Sequence, residues 1–285
     1  MRVASLDAPV SARAARELGG ALRIGIINIM PRAESYEACL LRPLAAAPVA
    51  VEPVWLRLES HVYSSSDAER VRSRYVPFDA ALGSGSLDGL ILTGAPVEEL
   101  AFDEVRYFGE LRAILEHARR RALGTLGLCW GGLALGHLLD VPKVAFEHKL
   151  FGVFEERRLD LRNELTNGLG ERFPCVHSRH SGIAPAELER AADAGVVRLL
   201  AHGAETGYSV FESGDGVFVA HLGHPEYPAP RLLEEWQRDT ALGRPGVAPP
   251  RNYDLTNPQP IWAPHSDRFF ANWLMRLARC RALRA

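Results

Sequence analysis

Gly124-Thr125-Leu126-Gly127-Leu128-Cys129-Trp130-Gly131-Gly132 is the stretch that decides the fold. The strand expected over Gly124–Cys129 runs into a cysteine, and a small apolar helix from Trp130 to about Leu139 leaves it. Glycines flank the thiol as Gly127-x-Cys129-x-Gly131. That is the pattern of a strand–turn–helix elbow, which lifts a nucleophile off the end of a strand. The glycines are needed because the turn is tight and neighbouring backbone must come close. The elbow puts Cys129 at a helix N-terminus, where the dipole favours a thiolate. The amides of Trp130 and Gly131 then point to where an oxyanion would form.

Outward from the elbow, short β-branched runs read as further buried strands: Leu22 to Met30, stopped by Pro31, then Val51–Leu56 and Gly89–Thr93. More strands are expected at Val196–Ala201, Tyr208–Glu212 and Val217–Leu222. Residues 103–121 read as the clearest helix. Val105, Phe108, Leu111, Leu115 and Ala118 share one face, Asp103 is the expected N-cap, and Arg119-Arg120-Arg121 suits the C-terminal end. Helices are also expected at Arg231–Leu242 and Ser266–Leu283. Residues 59–86 read as loop or short helix, and 243–264 as a long surface loop. Strands alternating with helices predict an α/β fold, a mostly parallel sheet flanked by helices on both faces. With no repeat and no linker in view, residues 1–285 read as a single domain, with 1–20 a loosely ordered N-terminal segment.

A thiolate nucleophile needs a base. Val217-Phe218-Val219-Ala220-His221-Leu222-Gly223-His224-Pro225-Glu226 delivers His224 to a strand end with Glu226 two residues on. A carboxylate bonded to one ring nitrogen fixes the tautomer and frees the other as a base. Cys129, His224 and Glu226 are thus a complete nucleophile, base and orienter. His221 competes for the base role from deeper in the strand. Cys39, Cys175 and Cys280 have no glycine elbow and read as packing residues.

Composition narrows the function classes. Lys and Arg total 33 against 35 acidic residues, so no basic excess suits nucleic acid. Four cysteines without a C-x-x-C pair argue against a disulfide scaffold or a structural zinc. No HExxH pair supports a catalytic metal, and no Walker loop marks a nucleotide. No apolar run is long enough for a membrane span, and the N-terminus has no secretory h-region. These features predict a cytoplasmic enzyme without metal, nucleic-acid or membrane partners.

The combination of elbow and His-Pro-Glu turn resembles the class I glutamine amidotransferase-like fold, a flavodoxin-like sandwich. More specifically, the chain resembles the homoserine O-succinyl/acetyltransferase family of methionine biosynthesis. The resemblance rests on Asn28-Ile29-Met30-Pro31, Asp88 to Pro96, Cys129-Trp130-Gly131, Val141-Pro142-Lys143, Glu147 to Val153, His177-Ser178-Arg179, Gly223 to Tyr227 and Asn272-Trp273-Leu274. It implies ping-pong acyl transfer through a Cys129 thioester, with His224 as base and Glu226 as its orienter. It places Lys149, Ser178 and Arg238 against the substrate. Arginine there suits an α-carboxylate, which a guanidinium captures bidentately. Acyl-CoA is implied as co-substrate, with no tightly bound cofactor, and a homodimer is the family's usual state.

Glu98 stands where the family associates glutamate with acetyl-CoA and glycine with succinyl-CoA. A glutamate fills space and puts negative charge where a succinyl carboxylate would lie. The expectation is therefore homoserine O-acetyltransferase. L-serine O-acetylation, homoserine O-succinylation, a glutamine amidotransferase-like hydrolase and a non-catalytic binding module stay open. The resemblance assigns the oxyanion hole to the Trp130 amide and to position 33, where a lysine is usual and this chain has Ala33. The adjoining acidic and Thr-Glu pattern is also altered, to Glu34-Ser35-Tyr36-Glu37.

Overall fold

The computed structural model describes residues 20–244 and 246–284; the N-terminal segment expected to be loose lies almost wholly outside them. One sheet of nine strands runs through the described residues in the order β2-β1-β3-β4-β9-β8-β7-β5-β6. Its first half is parallel: β1 (Leu22–Ile27), β2 (Val51–Leu56), β3 (Gly89–Leu92), β4 (Thr125–Leu128) and β9 (Phe218–His221). Its second half is antiparallel: β5 (Lys143–Arg158), β6 (Arg172–Ile183), β7 (Val197–Gly203) and β8 (Gly207–Ser213).

Period-two alternation splits the strand side chains between two cores, one on each face of the sheet. Ile24, Ile26, Ile91, Leu126 and Leu128 join one core. Ile27, Leu90 and Leu92 join the other. The first core is covered by helix α1 (Ala33–Ala45) and by α8 (Ala263–Ala282), whose Phe270, Trp273 and Leu274 are fully or almost fully buried. The second is covered by α4 (Phe108–Arg120) and α5 (Trp130–His137). Each fully buried leucine or isoleucine contributes about 1.5–3 kcal/mol by leaving water, so both faces hold the sheet together.

Four local readings differ from the structure. The helix expected from Asp103 starts at Phe108, and residues Phe102–Glu104 form a separate 3₁₀ turn. There Glu104, not Asp103, supplies the cap, its carboxylate accepting from the Ala101 amide at 2.8 Å. The chain turns because Phe102 is drawn inward against Phe108 and Trp130. The long hairpin β5–β6 was not expected. In its first half, Lys143 to Leu150, residues are exposed or half-buried without alternation, so no strand period shows. Helix α8 begins at Ala263, three residues early, with a proline in its first turn. Cys280 is exposed rather than packed, whereas Cys39 and Cys175 are buried.

The remaining helices are α2 (Ala68–Arg74), α3 (Phe78–Gly83), α6 (Pro185–Asp193) and α7 (Arg231–Ala241). Helix α7 follows the His224 turn and is the element that brings Arg238 to the site. No helix among the described residues is long and apolar enough to cross a membrane.

Candidate active site

Cys129 caps α5 with φ 50° and ψ −114°, a conformation L-residues rarely adopt. The elbow holds it there because three strands deliver backbone to one point. The Cys129 amide donates to the His221 carbonyl at 2.8 Å. A β-carbon at Gly127 would meet the Gly131 carbonyl oxygen at 2.5 Å, and one at Gly131 would meet the Leu92 oxygen at 2.5 Å. Both flanking glycines are therefore required by close backbone approach.

His224 enters from the turn after β9 and stands beside the Cys129 thiol. Its Nδ1 lies 2.7 Å from Glu226 Oε1. Burial pushes the His224 imidazolium down, but Cys129 and Glu226 beside it outweigh burial and hold it well above the ordinary histidine value. Glu226 is buried too, yet His224 and the Tyr36 hydroxyl keep it below the usual carboxylate range. Tyr227 stacks on the imidazole with ring centroids 4.1 Å apart. The structure thus brings Cys129, His224 and Glu226 into one connected set. His221, the competing base, is buried off the cavity, accepts from the Gly223 amide at 3.2 Å, and is pushed down to about 4 by burial and by His177.

Cys129 and His224 open onto a cavity of about 840 Å³. Its wall includes all three residues expected to touch substrate, Lys149, Ser178 and Arg238. Lys149 Nζ lies 3.5 Å from Glu235 and 3.4 Å from Asp239, over the ring of Phe151. Ser178 Oγ donates to Glu235 at 2.6 Å, and Arg238 Nε donates to Asp239 at 2.8 Å. Glu235 and Asp239 were not anticipated as site residues. Their signal was the i, i+3, i+4 spacing of Glu235, Arg238 and Asp239 on α7, which puts them on one helical face. Tyr36 was also missed, since nothing in its local sequence points to Glu226.

Glu98 lines the cavity, and burial pushes its carboxyl up to about 7 despite the His180 amide and His224 nearby. Its Oε2 is buried without a hydrogen-bond partner. Gly94 also lines the cavity, and a β-carbon there would stand 3.4 Å from Cys129 Cβ and 3.5 Å from His224 Cε1. Trp130 opens α5, so its amide belongs to the first-turn donors that lack an intrahelical acceptor. Ala33 is placed differently from the expectation. Its methyl is buried, its amide donates to Ser66 Oγ at 2.9 Å, and it offers the cavity no donor. Arg32, one residue earlier, is what that turn presents to the cavity, with a left-handed backbone.

Glu156, Cys175 and His177 are the one group among the described residues close enough to hold a metal ion. Both His177 nitrogens are already engaged: Nε2 with Glu156 at 3.0 Å, and Nδ1 as acceptor from Arg179 at 3.2 Å. Thr206 also donates to Glu156, so the group reads as a hydrogen-bonded brace under β6.

Known proteins share this fold and this sequence pattern. The fold is shared with a glutamine amidotransferase from Methylobacillus flagellatus, with a TM-score of 0.59 and 14% identity, covering 90% of this chain and 94% of that one. A glutamine amidotransferase from Thermotoga maritima matches with a TM-score of 0.58 and 10% identity, covering 90% and 98%. The homoserine O-acetyltransferases of Bacillus cytotoxicus and Bacillus cereus are each 36% identical over 260 residues, 89% of this chain and 85% of theirs. The sequence profile of the homoserine O-succinyltransferase family matches residues 8–279, and the chain belongs to that family.

Proposed function

We infer that this protein is a homoserine O-acetyltransferase, with acetyl-CoA as donor and the side-chain hydroxyl of L-homoserine as acceptor. The observation that carries the reading is the strained Cys129 elbow with His224, backed by Glu226, beside a cavity that Cys129, His224 and Glu98 line. In the first half-reaction the Cys129 sulfur attacks the thioester carbonyl. The carbon–sulfur bond to CoA breaks, and CoA leaves with the proton held by His224. First-turn amides of α5, led by Trp130, stabilise the oxyanion.

In the second half-reaction His224 takes the proton from the acceptor hydroxyl. The oxygen attacks the acetyl-cysteine carbonyl, and Cys129 departs as thiolate beside the imidazolium. Glu226 holds the imidazole tautomer throughout. Arg238 is the group suited to the acceptor's α-carboxylate. Asp239 and Glu235, across from Lys149, are suited to its ammonium. Glu98 favours acetyl over succinyl by filling space and by opposing a second carboxylate.

The test is release of free CoA from acetyl-CoA or succinyl-CoA, each with L-homoserine or L-serine, beside a Cys129→Ala control. Turnover with acetyl-CoA and homoserine that disappears in the control is the expected result. Preference for serine would reassign the acceptor, and preference for succinyl-CoA would overturn the role given to Glu98.

A further inference from the structure

Glu226 has a partner besides His224. Tyr36 of α1 is buried, and its hydroxyl donates to Glu226 Oε1, the same oxygen that His224 Nδ1 reaches at 2.7 Å. Glu226 Oε2 is buried without a hydrogen-bond partner. One carboxylate oxygen is thus shared between a phenol and an imidazole. The Tyr36 ring also meets Tyr227 edge-on at 6.4 Å, and Tyr227 is the ring stacked on His224. Helix α1 is tied down at its start, where Asn28 Nδ2 donates to the Ala33 carbonyl and to the Tyr75 hydroxyl, each at 2.9 Å.

We propose that Tyr36 is a positioning residue of the catalytic unit, its phenol sharing Oε1 of Glu226 with His224 and so setting how tightly the imidazole keeps its proton. The proposal rests on the reading of Cys129, His224 and Glu226 as the reacting set. A donor bonded to an ionised carboxylate takes up part of its charge. Less of that charge then acts on the imidazolium. Burial and Glu226 hold the Tyr36 phenol well above its ordinary range, so it acts only as donor. Around this pair the other ionisable groups are Cys39 on α1, Tyr227 in the same turn, Cys175 on β6, His221 on β9 and Arg231 on α7. His224 further faces Cys129, Glu98, His177 and Glu235. Among the described residues, Glu226 Oε1 takes its side-chain hydrogen bonds from His224 and Tyr36.

The experiment is alkylation of Cys129 by iodoacetate as a function of pH, followed by mass spectrometry, in the wild-type chain and in Tyr36→Phe. An anionic reagent is drawn by the imidazolium, so its rate falls as His224 loses its proton, and no substrate is needed. Tyr36→Phe removes one oxygen and keeps the ring. It is expected to move the alkaline limb up by about one pH unit. Site-specific 3-fluorotyrosine at position 36 makes a stronger donor and is expected to move that limb down, which keeps the test open if Tyr36→Phe folds poorly. A lowered melting temperature with an unmoved limb, or superimposable profiles throughout, would overturn the proposal. A bell that Tyr36→Phe shifts, in a protein that turns over no acyl-CoA, would sink the acyl-transfer reading and leave Tyr36 its role.

Discussion

Gly131 lies so close to the end of β3 that a β-carbon there would come within 2.5 Å of the Leu92 carbonyl oxygen and 2.8 Å of that of Thr93. Both contacts are with backbone, which cannot rotate away as a side chain can. Gly131→Ala must therefore push α5 off β3. We expect a loss of about 2–3 kcal/mol in urea unfolding, and slower alkylation of Cys129 as the elbow opens. An alanine variant as stable and as reactive as wild type would contradict the close approach.

Cys129→Ala and His224→Asn address the chemistry rather than the scaffold. Each is expected to lower turnover by about 10³-fold or more, and the double variant to be little worse than either, because the members of such a set act as a unit. Intact-mass measurement after incubation with acetyl-CoA alone should show one added acetyl group on wild type and none on Cys129→Ala. Additive losses would argue against a shared reaction path.

Glu98 supplies a pH dependence with a definite sign. Its folded carboxyl is raised to about 7 by burial, whereas an unfolded glutamate titrates near 4.3. Below the unfolded value both states are protonated and no stability is lost. As pH rises from there through 7, the unfolded chain ionises this carboxyl while burial keeps the folded one protonated, and stability falls by up to about 4 kcal/mol. Glu98→Gln should therefore stabilise the fold clearly at pH 8 and only slightly at pH 5, measured by denaturant midpoints.

The same titration reaches donor choice. A neutral Glu98 repels a second carboxylate less, so the ratio of succinyl-CoA to acetyl-CoA use should rise as pH falls from 8 to 6. In Glu98→Gly that ratio should be higher and nearly flat with pH. A wild-type ratio that ignores pH would remove the charge argument and leave only the steric one.

Arg238 and its neighbours carry acceptor binding in the proposed reaction. Loss of a charged hydrogen-bonding partner costs about 1.5–3 kcal/mol. Arg238→Ala should thus raise the acceptor KM by roughly tenfold to a hundredfold, with the acyl-enzyme half-reaction unchanged. Arg238→Lys should recover little, because a point charge does not reproduce the planar fork. An unchanged acceptor KM would place the carboxylate elsewhere.

The parts of the molecule that could be read in advance are those whose physics is local. The β4 elbow announced itself through glycines that the Gly131–Leu92 contact requires. The His224 turn did so through a strand end followed by a carboxylate two residues on. The buried parallel strands had runs such as Leu22–Ile27 that exceed what a surface segment would carry. What escaped depended on partners distant in sequence. Tyr36 is 190 residues from Glu226, and nothing near Tyr36 in the chain marks that contact. The hairpin β5–β6 hid because one stretch of β5 is wet on both faces. Ala33 was placed in the oxyanion hole by resemblance alone, and the hydrogen bond to Ser66 shows where its amide is spent.

The two halves of the sheet divide the labour of the protein. Parallel strands β4 and β9 present Cys129 and the His224 turn, while the antiparallel hairpin β5–β6 presents Lys149, Phe151 and Ser178. The loop after α7 is sewn onto that hairpin, the Arg251 amide donating to the Phe151 carbonyl at 2.9 Å and the Val153 amide to the Arg251 carbonyl at 3.0 Å. The reacting groups thus sit on β4 and the turn after β9, and much of the wall that meets substrate sits on other stretches of backbone: the hairpin, α7 and the segment after β3 that carries Glu98. Such an arrangement lets the clientele be exchanged by redrafting those stretches, while the reacting groups stay in place.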